Sequence, residues 1–274
     1  MSASPTPLPR LLLTGACGAL GQVLREPLRA ASQQLRMSDR KAWIGGPLTP
    51  EESFVACELA DRDSVLALLD NVDAVVHLGG VSVEGPFDPI LQANILGLFN
   101  LYEAARIQLV PRIVFASSNH VTGCYEQGER IGPDSRPRPD GNYGVSKLFG
   151  EGLAQLYFDR YGIETVCLRI GTSTVEPPDR RGLSTWLSHR DLAQLVLCGL
   201  RAPNVGCHIV YGVSANPASW WDNAAAAQRI GFVPQDSAEA RRSSIETQPT
   251  PDPNSPTTRL QGGAFLGIGP FPPH

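Results

Sequence analysis

The sequence predicts an α/β fold: a doubly wound parallel sheet carrying a small C-terminal lobe. Three observations predict it. Short apolar runs alternate with helical patterns along most of the 274 residues. The runs are apolar throughout instead of alternating apolar with polar, as strands covered by helices on both faces must be. A glycine-rich turn lies between the first run and the first helical pattern.

The strand candidates are "RLLLTG" (10–15), "LRMSD" (35–39), "FVACEL" (54–59), "AVVHLGG" (74–80), "RIVFASS" (112–118), "TVCLRIG" (165–171) and "CHIVYG" (207–212). Between them, 89–108 and 143–162 place apolar residues at i, i+3 and i+4, the period of amphipathic helices. Pro27 falls in the third turn of the first helical pattern, where a proline kinks or ends a helix. The βαβ rhythm holds through 171. From 172 to 274 it weakens into loops, two helix candidates (184–200 and 219–230), and a tail holding eight of the 24 prolines, an ordered wrap or a disordered end. Residues 1–171 therefore form one domain and 172–274 a smaller lobe, with 207–212 returning to the main sheet.

Composition narrows the function classes. A net charge of -4 gives no electrostatic pull toward nucleic acid, and no apolar run reaches the roughly 18 residues of a membrane span. The first ten residues, "MSASPTPLPR", have no apolar leader core. Six cysteines without a C-x-x-C pair or zinc-like spacing suit reduced thiols, a cytoplasmic setting and no metal.

In "LLLTGACGALGQVL", Gly15, Gly18 and Gly21 allow a tight turn, close backbone approach to a pyrophosphate, and helix packing on strand. Because this loop opens the first βαβ unit, the fold is of the Rossmann kind and dinucleotide binding is expected. Asp39 closes the second strand 18 residues after Gly21, near the offset at which an acid bonds the adenosine ribose. It favours NAD, while the neighbouring Arg40 could accept a 2′-phosphate.

Lys147 is one of only two lysines in the chain and follows Tyr143 by four residues, one helical turn. A nearby ammonium favours phenolate, and lowering a phenol from about 10 to about 7 takes roughly 4 kcal/mol. The pair therefore reads as a general base, Tyr143, with Lys147 acidifying it and holding the cofactor ribose. Ser118 ends "RIVFASS" at the carboxyl edge where ligands bind, with Ser117 as the alternative on the opposite face.

These motifs, "TGACGALG", "HLGG", Asn94 in its helix, "SSNHVTG" and "YGVSK", resemble the extended short-chain dehydrogenase/reductase superfamily. More narrowly, "VVHLGGVSVEGPF", "NILGLFNLYEAAR", "RIVFASSNH", "YGVSKLFGE", "LSTWLSH", "SANPASWWDN" and "RLQGGAF" resemble uronate dehydrogenases, across almost the whole chain. The resemblance implies NAD as cofactor and oxidation of galacturonate or glucuronate at C1 to the aldarolactone. It implies cofactor contacts from Gly15, Gly18, Ala19, Leu20, Gly21, Asp39, Glu58, Leu59, Leu78, Gly79, Gly80, Asn94, Tyr143, Lys147 and Ile170. Glu58 stands where many relatives carry aspartate.

Carried over by position, Ser118 matches the catalytic serine, and Ser82, Asn119 and His120 match substrate-binding positions. Arg181 in "RRGLSTW" matches the arginine that clamps the sugar carboxylate, with Arg180 beside it as an alternative, and Phe265 in "QGGAF" matches a tail residue at the pocket. Thr172 follows "RIG" where a serine is usual. A homo-oligomer built on helices 89–108 and 143–162 is expected. Two other readings are a nucleotide-sugar epimerase or dehydratase, and a non-enzymatic redox-sensing protein. The first needs a larger C-terminal lobe; the second usually lacks the tyrosine and lysine.

Overall fold

A computed structural model describes residues 7–272; residues 1–6 and 273–274 lie outside the described residues. Seven strands make one sheet: β1 (Leu8–Thr14), β2 (Ser32–Asp39), β3 (Glu52–Ala56), β4 (Ala74–His77), β5 (Arg112–Ser118), β6 (Glu164–Ile170) and β7 (Cys207–Gly212). Their order is β3-β2-β1-β4-β5-β6-β7, and every pairing is parallel. The order reverses between β1 and β4, which opens a crevice at the carboxyl ends of those strands.

Helices cover both faces, so alternate residues of one strand enter different cores. Leu11 and Leu13 face α1 (Ala19–Ala31) and α7 (His189–Arg201), packing with Leu24, Leu28, Leu192 and Leu195. Leu12 faces the layer of α2 (Arg62–Leu68), α4 (Gly97–Ile107) and α5 (Asn142–Tyr161), packing with Leu68, Leu101 and Leu153. The uniformly apolar strand pattern has this cause. It fails at the edge: β3 has a single neighbour, and Val55 on it is 40% exposed.

Four local expectations are corrected. Helix α1 runs through Pro27 without a break. The proline's lost N–H costs one helical hydrogen bond, but Leu24 and Leu28 on either side are fully buried and hold the segment against the sheet. The helix expected at 89–108 is α3 (Phe87–Ile90), a π-helical segment (Leu91–Leu96) and α4 in succession. The helix expected at 184–200 is divided: α6 (Gly182–Thr185) ends, and α7 starts afresh because the Ser188 hydroxyl accepts from the Asp191 amide at 3.0 Å. The one expected at 219–230 begins only at α8 (Ala224–Ile230), because the Asn223 amide is held at the free edge of β7, accepting from Tyr211 N and donating to Tyr211 O at 2.8 Å each.

The proline-rich tail is an ordered wrap. Leu260 bridges to Glu126, Gly262 N donates to Gly123 O at 2.8 Å, and the buried Gln261 side chain accepts from Trp221 Nε1 while donating to Glu126 O and Glu129 O. Among the described residues, no helix is long and apolar enough to cross a membrane, and no group of histidine, cysteine or acidic side chains is arranged to hold a metal.

Candidate active site

The crevice at the sheet switch point is floored by the glycine loop. Gly15 has φ +72°, and a Cβ there would lie 2.8 Å from Gly79 N and Leu78 C, so the β1 and β4 loops can abut only with glycine. A Cβ on Gly21 would overlap Gly15 O. Gly18 caps α1 with no side-chain hydrogen bond, and the first turn, including Ala19 and Leu20, holds no acid. The positive end of the helix is thus left for an anion. Asp39, at the end of β2, accepts from Cys17 N at 3.0 Å and Lys41 N at 3.1 Å, which fixes its carboxylate beside the loop. Arg40 is exposed. An open helix N-terminus, close backbone approach and a locked acid fit a dinucleotide.

The β4 side of the crevice is built differently from expectation. Asn94, carried in the π segment and 4% exposed, accepts from Val81 N at 2.7 Å and donates to Val81 O and Ser146 Oγ. Its amide braces the loop after β4 against α5, and Gly80 leaves the room it needs. Leu59 is buried against Gly79 and Gly97, while Glu58 is exposed. Ser82 is also exposed, in the loop following Val81.

Ser118, Tyr143 and Lys147 converge, each buried. The Tyr143 phenol faces the Ser118 hydroxyl, whose polarity favours the phenolate. Lys147 Nζ donates to Ala116 O at 2.8 Å and lies 5.5 Å from the centre of the Tyr143 ring and 5.1 Å from that of Phe115. Ser117 points to the other side of β5, donating at 2.6 Å to Glu151, which pairs with the buried Arg169. Ser118 is therefore the serine of the crevice.

Electrostatics depart from the expectation of an acidified phenol. Burial, offset in part by the Ser118 hydroxyl, pushes Tyr143 up to about 12. Burial also lowers Lys147 to about 8. Desolvation is the larger effect at both groups, because the ammonium is held back on the Ala116 carbonyl, and within the protein alone its charge does not offset the burial of the phenol. His77 beneath them falls to about 3, by burial first and then by Lys147.

Next to this cluster Arg181 supplies a second charge. Arg181 Nε donates to Gln261 O at 2.7 Å and Nη1 to Thr172 Oγ1 at 2.8 Å. With the Asn119 amide in its better-satisfied orientation, Nη2 donates to Asn119 Oδ1 at 2.8 Å while Asn119 Nδ2 donates to Ile170 O. Burial lowers the Arg181 pKa. Among the described residues no carboxylate lies within ion-pair distance of this partly buried guanidinium, whereas the fully buried Arg169 is paired with Glu151. Arg180 instead faces outward and donates to Glu246 O and Gln248 O. His120 stacks on Phe265, ring centres 3.9 Å apart, and meets Tyr143 edge-on at 5.7 Å.

Three residues of the site escaped sequence reasoning. Glu84, 7% exposed, accepts from Asn142 N and Tyr143 N and so caps α5 from a different loop. Asp140 accepts from His120 Nδ1 at 2.6 Å. Gln261 ties the tail to Arg181. All three act across long sequence separations, and an acid or amide in a loop carries no periodicity; only the place of Glu84 and Gln261 inside the quoted motif blocks, and of Asp140 three residues before one, could have drawn notice.

Residues 11–189 match the model of the NAD dependent epimerase/dehydratase family. The chain is 52% identical over 266 residues to a uronate dehydrogenase of Pseudomonas syringae pv. tomato, covering 97% of this chain and 96% of that one. A uronate dehydrogenase mutant from Agrobacterium tumefaciens complexed with NAD superposes with a TM-score of 0.92 at 52% identity, covering 96% and 99%. A glucuronic acid dehydrogenase from Chromohalobacter salexigens gives 0.91 at 47% identity, covering 96% and 98%. With similarity of this extent laid over the crevice just described, the chain belongs to the NAD dependent epimerase/dehydratase family, grouping inside it with the uronate dehydrogenases.

Proposed function

We propose that this protein oxidises hexuronic acids, galacturonate and glucuronate, at C1 to the aldarolactone with NAD as acceptor. The observation that carries the reading is Arg181: a partly buried guanidinium with no carboxylate within ion-pair distance among the described residues, joined through Asn119 to the strand end that bears Ser118. A cation drawn partly out of water and left without an ion pair gains from a ligand that supplies the anion, and a planar fork suits a sugar carboxylate. The alternative reading through a nucleotide-sugar has no comparable observation behind it.

The glycine loop Gly15–Gly21, Asp39, Leu59, Leu78–Gly80 and Ile170 would hold NAD, with Glu58 at the rim. When bound, the oxidised nicotinamide supplies the acceptor for the C1 hydride and brings a positive ring to the crevice. Tyr143 takes the proton of the anomeric hydroxyl as C1 loses its hydride and the C1–O bond becomes a carbonyl. Ser118 donates a hydrogen bond to that oxygen. Lys147, with one proton committed to Ala116 O, has two left for the ribose and for stabilising the phenolate. Arg181, set by Thr172, Asn119 and Gln261, holds the far carboxylate, and Ser82, His120 and Phe265 surround the ring.

Incubating the protein with NAD and either uronate, then following NADH absorbance, tests this reading. NADH should form with the uronates and much less with galactose or glucose, which lack the carboxylate. Absence of NADH with both uronates overturns it.

A homo-oligomer belongs to the same proposal. Leu96, Phe99 and Ile107 on the π segment and α4, and Val145, Phe149 and Leu156 on α5, are all more than a third exposed, an apolar surface that suits pairing between copies. Light scattering should give at least twice the 29.4 kDa chain mass, and a monomer would reject it. A cytoplasmic location is supported by six free cysteines.

A further inference from the structure

The carboxylate of Asp140 is fully buried, and only one of its oxygens is used: Oδ2 binds His120 Nδ1 at 2.6 Å while Oδ1 has no partner. Desolvating a carboxylate for one hydrogen bond is costly. The surroundings nevertheless make space for it. A Cβ on Gly123 or on Gly262 would overlap Asp140 Oδ2, and one on Gly144 would lie 3.1 Å from Oδ1. These glycines come from three separate places: the turn after β5, the first turn of α5, and the tail. All three fall in the motif blocks "SSNHVTG", "YGVSK" and "QGGAF"; a Cβ on Gly144 would also overlap His120 O.

Phe265 fixes the plane of the imidazole, its ring lying 11° from parallel. Among the described residues, Nδ1 is the only nitrogen of the His120 ring with a hydrogen-bond partner. A carboxylate accepts and cannot donate, so Nδ1 must carry a proton. In a neutral ring Nε2 then holds a lone pair.

Building on the uronate reading, we propose that Asp140 is a positioning residue that locks His120 in the Nδ1–H tautomer, so that Nε2 is presented to the sugar as a hydrogen-bond acceptor. A hydroxyl can satisfy it by donating, and an ether oxygen or a deoxy position cannot. His120 thereby reads a donor hydroxyl near C1, complementing Arg181, which reads an anion.

Nitrogen-15 spectra of the histidine rings, recorded on the NAD-loaded protein without sugar and assigned by loss of the signal in His120→Gln, test the tautomer directly. The expected result at neutral pH is a proton on Nδ1 and a bare Nε2. In Asp140→Asn, whose amide can donate, the proton should redistribute toward Nε2, and the uronate KM should rise about tenfold, the loss of one hydrogen bond, with kcat changed less and NAD affinity unchanged. A ring protonated on Nε2 in the unaltered protein overturns the proposal, as does an Asp140→Asn protein with the same spectrum and KM. Should that variant fail to fold, the spectrum of the unaltered protein decides. Because the spectrum needs no uronate, missing turnover would strike the proposed reaction and leave this pair standing.

Discussion

Lys147 occupies a place where an ammonium is unfavourable: burial lowers its pKa from 10.5 to about 8. The folded state therefore releases its proton before the unfolded chain does. Between about pH 8 and pH 10.5 the unfolded state binds more protons, so this group's contribution makes stability rise with pH across that window and level off above it. The shift is worth about 3 kcal/mol. Urea unfolding of the protein and of Lys147→Met at both ends of the window should show that rise in the first and not in the second; equal slopes would mean the lysine is not held as described. Tyr143 is pushed the other way, to about 12, so the phenolate is scarce until a positive group joins it. Replacing Tyr143 by Phe should lower kcat at least ~10²-fold with NAD affinity retained, the lower range for loss of a general base. Arg181→Ala should raise the uronate KM by the equivalent of about 2 to 5 kcal/mol, the range for truncating one member of a desolvated ion pair. Near-normal kcat in the first variant, or an unchanged KM in the second, would remove that residue from its role.

Helix α5 carries both Tyr143 and Lys147, and its start is fixed from outside. Gly141 precedes it with extended backbone and no side-chain cap, and Glu84 accepts from the first two amides across 58 and 59 residues. The acid satisfies orphan N–H groups and lies at the positive end of the helix. Glu84→Ala should lower stability by about 1 kcal/mol, as cap removal does, and should reduce kcat because the Tyr143 backbone loses its tether. Unfolding midpoints together with kcat check this; a full midpoint with reduced kcat, or the reverse, would separate the two effects and reject the shared cause. The body of α5 was legible from its apolar spacing alone, as was the tyrosine–lysine face. Its cap was not, because local rules look within a few residues. The same limit hid the restart of α7 at Ser188 and the π segment that turns Asn94 inward, where tertiary bonds decide the local geometry.

At the scale of the whole molecule the two halves of the crevice were unequally readable. The dinucleotide half lies in one βαβ unit, where strand, glycine spacing and acid follow one another within about thirty residues, so Gly15, Gly18, Gly21 and Asp39 could be placed by position. The sugar half is assembled from the ends of β5 and β6, from α6, and from a tail that follows α6 only after β7 and α8, and no periodicity joins them. That tail is held by Leu260 bridging to Glu126 and by Gln261, which reaches Trp221, Glu126 and Glu129 through its side chain and Arg181 Nε through its carbonyl. It also contributes Phe265 and the glycine that admits Arg181, since a Cβ on Gly263 would lie 2.6 Å from Arg181 Cδ. None of the seven strands includes a residue beyond Gly212, so the sheet and the glycine loop stand without the tail. Ending the chain after Arg259 should therefore leave NAD affinity close to that of the full chain, read by fluorescence titration. The uronate KM should rise about tenfold to a hundredfold, since Arg181 loses a hydrogen bond to a charged group worth roughly 1.5 to 3 kcal/mol and His120 loses its stacking partner. Parallel loss of NAD affinity would show that the tail supports the whole crevice, and an unchanged KM would show that Arg181 needs no help from it.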